Sequence, residues 1–189
     1  MKIGKIFQDS FKLYFKNFVT LLIAYILAVF LGAITIGILM PVLMTGFMIL
    51  FLKLAQGKKA GIGEIFGQFG KFWRITLGTI GIGILTVFGF IFFIIPGLLL
   101  AARWMYTILF IADKDLGFEE ALAAGKELVA ANGFGMHVVF IILAAIFAVL
   151  PQIIGNVADI AWVMLLAGLL IWPVSAGIYS IAYLKDSKL

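Results

Sequence analysis

The sequence predicts an all-α membrane bundle in which six transmembrane helices form three hairpins. Three observations predict this fold class: 65% of the 189 residues are hydrophobic and only 12% are charged, long stretches carry no charge, and basic residues gather between alternate stretches. A soluble domain has roughly half its residues apolar and about a quarter charged. The composition therefore excludes an ordinary soluble domain, and we expect lipid to be the solvent.

The first charge-free stretch runs over residues 18–52 and is too long for one crossing. As one helix its 35 residues would measure about 52 Å, whereas the hydrocarbon core of a bilayer is about 30 Å thick. Proline is tolerated in the first turn of a helix and poorly in its interior. We therefore expect the chain to fold back between Gly37 and Pro41, which gives spans over 17–36 and 39–55.

Two further hairpins follow the same logic. The first has a span over 75–95, a turn at Pro96-Gly97, and a second arm that runs through Arg103 to Ala112. The second has spans over 136–150 and 160–184, separated by a polar break that begins at Pro151. Small residues allow helices to approach closely in lipid, and we expect this packing role of Gly78, Gly81, Gly83 and Gly89.

The placement of the basic residues tests the hairpins independently. Cytoplasmic loops carry an excess of Lys and Arg. Of the 14 basic residues, 13 fall in the segments that the hairpins assign to one face, and none falls in the opposite turns. We therefore expect a multi-pass protein of the cytoplasmic (inner) membrane with both termini cytoplasmic.

A short amphipathic segment precedes each hairpin, over residues 3–18, 62–73 and 118–130. In the first, Ile3, Ile6 and Tyr14 belong to one apolar stripe, and the Ile-Gly-Lys-Ile-Phe of residues 3–7 aligns with the Ile-Gly-Glu-Ile-Phe of residues 62–66. The pattern predicts one membrane domain over 1–189 with a pseudo-threefold repeat: 1–57, 58–113 and 114–189. The alternative is that short apolar segments with aromatic and basic flanks look alike by composition.

An amphipathic helix with basic residues lies in the headgroup plane of a membrane. Each basic residue near an anionic leaflet contributes about 1 kcal/mol of attraction. The predicted interfacial lipid contacts are Lys5, Lys12, Lys16, Lys58, Lys59, Lys71, Trp73 and Arg74. The simpler alternative is that these segments only anchor the topology.

Arg103 is the one charged residue within a predicted span. An arginine centred in lipid costs at least about 2.5 kcal/mol, so it should face protein, water or a headgroup. One hypothesis is a site for an anionic ligand or lipid headgroup, with Asp159 as the ion-pair partner. The alternatives are that Arg103 snorkels or bonds carbonyls released near Pro96, and that Asp159 caps the last span.

Catalytic signatures are absent from the sequence. The chain has no cysteine and a single histidine, His137, which excludes motifs with two histidines. No nucleophile elbow, Walker A loop or dinucleotide-binding turn occurs. We expect a non-enzymatic protein without cofactor, metal or nucleic-acid partner, in which His137 is an interfacial histidine.

The middle of the chain carries a family resemblance. Its motifs are an Ile-Pro-Gly turn at 95–97 followed by Arg103, an Ala-Asp pair at 112–113, and a Glu-Ala-Leu helix at 120–122. They resemble a group of uncharacterised prokaryotic six-span membrane proteins related to the membrane domain of glycerophosphodiester phosphodiesterases, best over 62–140. Gly125 stands where that family usually has a serine. The resemblance implies a cytoplasmic-membrane protein, and no catalytic domain accompanies it here.

These observations give one main functional hypothesis and two alternatives. The main hypothesis is a lipid-binding, lipid-organising or scaffolding protein whose partners are anionic membrane lipids. The alternatives are a small transporter or channel for an anionic or amphiphilic solute, and an accessory subunit of a membrane complex. A homo-oligomer or a protein partner is compatible with each of them.

Overall fold

The structure is a computed structural model that describes residues 2–92, 94–158 and 161–187. Helices make up 87% of the chain, and the described residues contain no strand, so the predicted all-α class is confirmed. In chain order the helices are α1 Ile3–Lys16, α2 Phe18–Ile34, α3 Met40–Ala55, α4 Phe72–Phe92, α5 Ile94–Trp104, α6 Thr107–Lys114, α7 Phe118–Ala131, α8 Phe134–Ala158 and α9 Ala161–Asp186.

Four helical segments of the described chain are long and apolar enough to cross a membrane: 62–91, 95–114, 134–156 and 162–186. The pair α1 and α2, which is bent by 94°, makes a fifth candidate. Helix α3 has 16 residues, or about 24 Å at 1.5 Å per residue. By length and composition the structure therefore has four to five candidate spans, fewer than the six expected.

The first turn lies where the sequence predicts it. Helix α2 ends in a motif in which the Gly37 N–H donates to the Gly32 carbonyl at 2.8 Å. Gly37 has a φ of +83°, a left-handed conformation that glycine adopts without a steric penalty. Pro41 follows as the second residue of α3, where its missing N–H would have no helical partner in any case.

The third turn lies further along the chain than predicted. The break expected at Pro151 is wrong, because α8 continues through this proline to Ala158. A proline inside a helix is tolerated where other groups satisfy the nearby carbonyls. The Trp172 indole of α9 donates to the Ala148 carbonyl, three residues before Pro151, at 3.1 Å.

The amphipathic segments form two helices and one irregular stretch. Helices α1 and α7 agree with the prediction, but the helix expected over 62–73 is wrong: two 3-10 turns, Ile62–Phe66 and Phe69–Lys71, precede α4. Glycine destabilises a helix interior, and Gly63, Gly67 and Gly70 interrupt this segment.

The apolar stripe of α1 packs on protein. Ile6 and Tyr14 are fully buried, and α1 lies against α9. The Phe7 and Phe11 rings meet the Phe147 ring edge-on, at 5.7 and 5.5 Å between centroids. The expectation that this stripe lies in the bilayer is therefore wrong for Ile6 and Tyr14.

The helices form a closed circle in the order α2, α3, α4, α5, α8, α9, with α9 packed on α2. The two halves of α9 differ: Trp162 and Leu166 are exposed near its start, whereas Ile178 and Tyr183 are buried near its end. The packed core therefore lies at the end of the bundle where α3, α6 and α9 terminate, and the opposite end exposes apolar side chains.

Three of the four glycines predicted to allow close packing do so. A Cβ on Gly89 would lie 2.8 Å from the Gly97 Cα, and one on Gly78 or Gly81 would lie 3.1 Å from a side-chain atom of Ile111 or Phe118, respectively. A Cβ on Gly83 would meet nothing within 4 Å, so no close approach depends on that glycine.

Candidate functional site

Ion pairs hold one end of the bundle together. The Lys53 Nζ lies 2.6 Å from a carboxylate oxygen of Glu64, and the Lys185 Nζ lies 2.5 Å from one of Asp9. These pairs connect the C-terminal ends of α3 and α9 to the first two amphipathic segments. We call this end of the bundle, which carries the described lysines, the basic end.

A buried polar cluster lies at the basic end between α8 and α9. His137 is fully buried and Asp186 is 3% exposed. The His137 Nε2 lies 2.8 Å from the Asp186 Oδ2, and its Nδ1 lies 3.0 Å from the Gly133 carbonyl oxygen. The Tyr106 hydroxyl donates to the same Oδ2 at 2.7 Å.

His137 joins the start of α8 to the end of α9 through its two ring nitrogens. One nitrogen lies beside the Gly133 carbonyl just before α8, and the other beside the Asp186 side chain at the end of α9. A buried pair of this kind contributes stability only while both partners and their hydrogen bonds are present.

Sequence reasoning missed this cluster. Asp186 lies beyond the last predicted span, where an acid is expected to be solvated. His137 is predicted to be an interfacial residue. They are 49 positions apart, and no local spacing joins them. The available signal was that the only histidine and an acid both lie at ends of predicted spans on the same face.

Lys71 and Arg74, two predicted lipid contacts, bind protein groups. The Lys71 ammonium lies 2.7 Å from the Ala112 carbonyl and 3.2 Å from a carboxylate oxygen of Asp115. The Arg74 guanidinium donates to that carboxylate at 2.9 Å and to the Leu116 carbonyl. Both side chains satisfy carbonyls at the end of α6 that no helical N–H reaches.

These contacts change the acidity of Asp115. The hydrogen bond from Lys71, and then the charges of Lys71 and Arg74, hold the pKa of the Asp115 carboxyl below its usual range. A lowered pKa means that the interaction is complete at neutral pH and is lost as the pH falls through the lowered value. The ion pairs of Lys71 and Arg74 with Asp115 are therefore formed at neutral pH.

The other predicted lysines point outward. Lys5, Lys12 and Lys16 on α1, and Lys58 and Lys59 in the loop after α3, are exposed. None of the five lies within 4 Å of a carboxylate among the described residues. Trp73, at the start of α4, is also exposed, at 70%. These side chains are free to meet lipid.

Arg103 lies at the basic end of α5. Its side chain is exposed, and its guanidinium carbon stands 5.5 Å from the ring centroid of Phe134, the first residue of α8, a cation–π contact. Asp159, its expected partner, lies outside the described residues, and Ala158 is the last of the 25 residues of α8. The structure thus brings Arg103 to an aromatic ring.

Tyr14 compensates for Pro173 in the middle of α9. Pro173 has no N–H, so the Leu169 carbonyl four residues earlier lacks its helical donor. The Tyr14 hydroxyl donates to this carbonyl at 3.1 Å. The bond fixes α1 on α9.

We expect Tyr14→Phe to lower the free energy of unfolding by about 1 to 3 kcal/mol, because it leaves a buried carbonyl without a donor. In a Pro173→Ala background the helix supplies its own donor, and the same substitution should cost much less. The measurement is equilibrium unfolding in mixed detergent micelles. An equal loss in both backgrounds would contradict the assignment.

Gly125 leaves a buried hydroxyl without a partner. The Thr107 Oγ1 is buried and makes no hydrogen bond. A Cβ on Gly125 would lie 3.4 Å from that oxygen and 3.6 Å from the Arg103 carbonyl oxygen, both ordinary contact distances. A serine at 125 would therefore bring a hydroxyl into bonding range of Thr107.

We expect Gly125→Ser to raise the free energy of unfolding by about 1 to 2 kcal/mol, from a new hydrogen bond and a better helix former. Gly125→Ala is the matched control, since alanine is the better helix former but brings no hydroxyl. Thermal unfolding of the three proteins decides the point. A serine variant less stable than the alanine variant would refute it.

The described residues contain no group of three His, Asp or Glu side chains placed to hold a metal ion. No family model, curated protein or solved structure matches the chain.

Proposed function

We propose that the protein is a non-enzymatic, six-span protein of the cytoplasmic membrane that binds anionic lipid headgroups at its basic end. The observation that carries the proposal is the sorting of charges at that end. Asp9, Glu64, Asp113, Asp115 and Asp186 each pair with a basic side chain. The lysines left unpaired by described residues gather on α1 and in the 56–61 loop, apart from Lys126 on α7.

The proposal counts α3 as one of the six spans. Helix α3 is short, but within the circle it packs against α2 and α4, its neighbours, and also against α9. A short hydrophobic helix is accommodated by neighbouring helices or by local thinning of the bilayer. Counting α2 and α3 as one hairpin places every described lysine on the same side, as the positive-inside rule requires of a cytoplasmic face.

Contacts between elements support the threefold repeat within the proposal. The amphipathic segment of each repeat packs on the second arm of the preceding one in cyclic order: 62–66 on α3, α7 on α5 and α6, and α1 on α9. Each hairpin also has a glycine on its first arm facing the start of its second. These pairs are Gly32 with Met40, Gly89 with Gly97, and Gly155 with Met164.

Kinship with the membrane domain of glycerophosphodiester phosphodiesterases belongs to the same proposal. Its motif residues occupy defined places: Pro96 lies in the first turn of α5 and Arg103 near its end. The family resemblance and the charge sorting lead to the same class of protein.

The test is native mass spectrometry in a mild detergent with equal amounts of dioleoyl phosphatidylglycerol and dioleoyl phosphatidylcholine. The wild type should retain phosphatidylglycerol preferentially. Changing Lys5, Lys12, Lys16, Lys58 and Lys59 together to Gln should lower its retention at least tenfold, since each basic residue contributes about 1 kcal/mol. The charge-preserving Lys→Arg variant should behave as the wild type. Equal retention by the Gln and Arg variants would overturn the proposal.

A further inference from the structure

Helices α2 and α9 border an apolar groove of about 410 Å³. Ile26 and Phe30 line it from α2, and Leu165 and Trp172 from α9. Phe30 and Leu165 are exposed, so the groove opens on the outer surface of the bundle. In a membrane that surface faces lipid chains.

A second cavity, of about 290 Å³, lies at the bend between α1 and α2. Lys16 and Val19 both line it. Lys16 is exposed, with no carboxylate within 4 Å among the described residues. This cavity therefore offers a cation at the start of α2, with polar side chains and the apolar Val19 beside it.

The cavity and the groove lie along one face of α2. Val19, Ile23, Ile26 and Phe30 follow one another at helical spacing on that face, and all four are exposed. Ile26 lies seven residues after Val19, a rise of about 10 Å along α2. We call this continuous surface, from the cavity at Lys16 to the groove at Trp172, the bend groove.

One hydrogen bond joins the two parts of the bend groove. Leu169 lines the groove, and its carbonyl accepts the hydrogen bond from Tyr14, two residues before Lys16. The end of α1, which carries the cation, is therefore attached to the helix that forms one wall of the groove. Joining parts of a site before binding lowers the cost of ordering it.

We propose that the bend groove binds one anionic phospholipid, with its phosphate beside Lys16 and an acyl chain along α2 in the α2/α9 groove. The inference rests on the proposed function and assigns it a discrete site. Charge complementarity selects this occupant, because one cation at the mouth of an apolar groove matches an amphiphile with an anionic head and a hydrocarbon tail.

The test compares matched variants by native mass spectrometry, with dioleoyl phosphatidylglycerol and dioleoyl phosphatidylcholine added separately. Lys16→Gln should weaken binding of phosphatidylglycerol about fivefold, the effect of one basic residue, and leave phosphatidylcholine unchanged. Ala33→Phe should weaken both lipids, because Ala33 is exposed and lines the groove. The controls are Lys126→Gln and Ala145→Phe, which alter an exposed lysine of α7 and an exposed alanine of α8 outside the bend groove.

The inference is overturned if Lys16→Gln binds phosphatidylglycerol as Lys126→Gln does, or if Ala33→Phe binds as Ala145→Phe does. Leu165→Phe obstructs the groove from α9 and replaces Ala33→Phe if that variant does not fold. If the wild type shows no preference for phosphatidylglycerol, the proposed function is contradicted as well. If the preference persists equally in all the variants, only the proposal of a discrete site is contradicted.

Discussion

Asp186→Ala is expected to lower the free energy of unfolding by about 3 to 5 kcal/mol. The substitution leaves the buried His137 ring without its hydrogen-bond partner and takes the acceptor from the Tyr106 hydroxyl. Equilibrium unfolding in mixed micelles, followed by tryptophan fluorescence, measures the loss. Asp113→Ala is the control: that carboxylate is exposed and bonds only Tyr183 and Lys114, so its removal should cost about 1 kcal/mol or less.

A double-mutant cycle separates the ion pair from general loss of packing. His137→Leu should also destabilise strongly, because it leaves the Asp186 carboxylate buried and unpaired. The double variant should cost less than the sum of the single losses, by about 0.5 to 3 kcal/mol. Strictly additive losses would show that the two side chains do not act as a pair.

Gly46→Ala is expected to lower the free energy of unfolding by about 2 to 3 kcal/mol. Gly46 lies in α3 where the turn 62–66 crosses it, and a Cβ there would lie 2.8 Å from the Ile65 Cα and closer still to the Ile65 carbonyl oxygen. Backbone atoms cannot move aside as a side chain can. Thermal unfolding in detergent gives the size of the effect.

Gly83→Ala supplies the matched control for Gly46→Ala. Gly83 lies inside α4, and an added Cβ meets nothing within 4 Å. Replacing a helical glycine by alanine should then stabilise by up to about 1 kcal/mol. The two substitutions are therefore expected to have opposite signs, and a shared sign would contradict the close approach of Ile65 to α3.

The sequence predicts the first turn well, because the length of the apolar stretch and the position of its proline are local features. A charge-free stretch of 35 residues must turn, and Pro41 marks the place. Pro151 misled the prediction, because α8 continues through this proline and packs along its length on α9, a later segment of the chain. Local patterns carry no information about such a partner.

Some residues of the candidate site could be predicted from the sequence and others could not. The exposed lysines of α1 and of the 56–61 loop were predictable, since they require only position in the chain. The engagement of Lys71 with the end of α6, 41 residues distant, was not, and neither was the pairing of His137 with Asp186. Contacts between residues far apart in the chain depend on how the helices pack around the circle.

The packing of α1 on α9 has a consequence for the order of assembly. Helix α9 begins 145 residues after α1 ends, and ribosomes add about 5 to 20 residues per second. The stripe of α1 therefore waits roughly 10 to 30 seconds for its protein partner. During synthesis a free amphipathic helix lies at the membrane surface. The apolar stripe of α1 is thus expected to lie at the membrane surface during synthesis and to pack on α9 once that helix has formed.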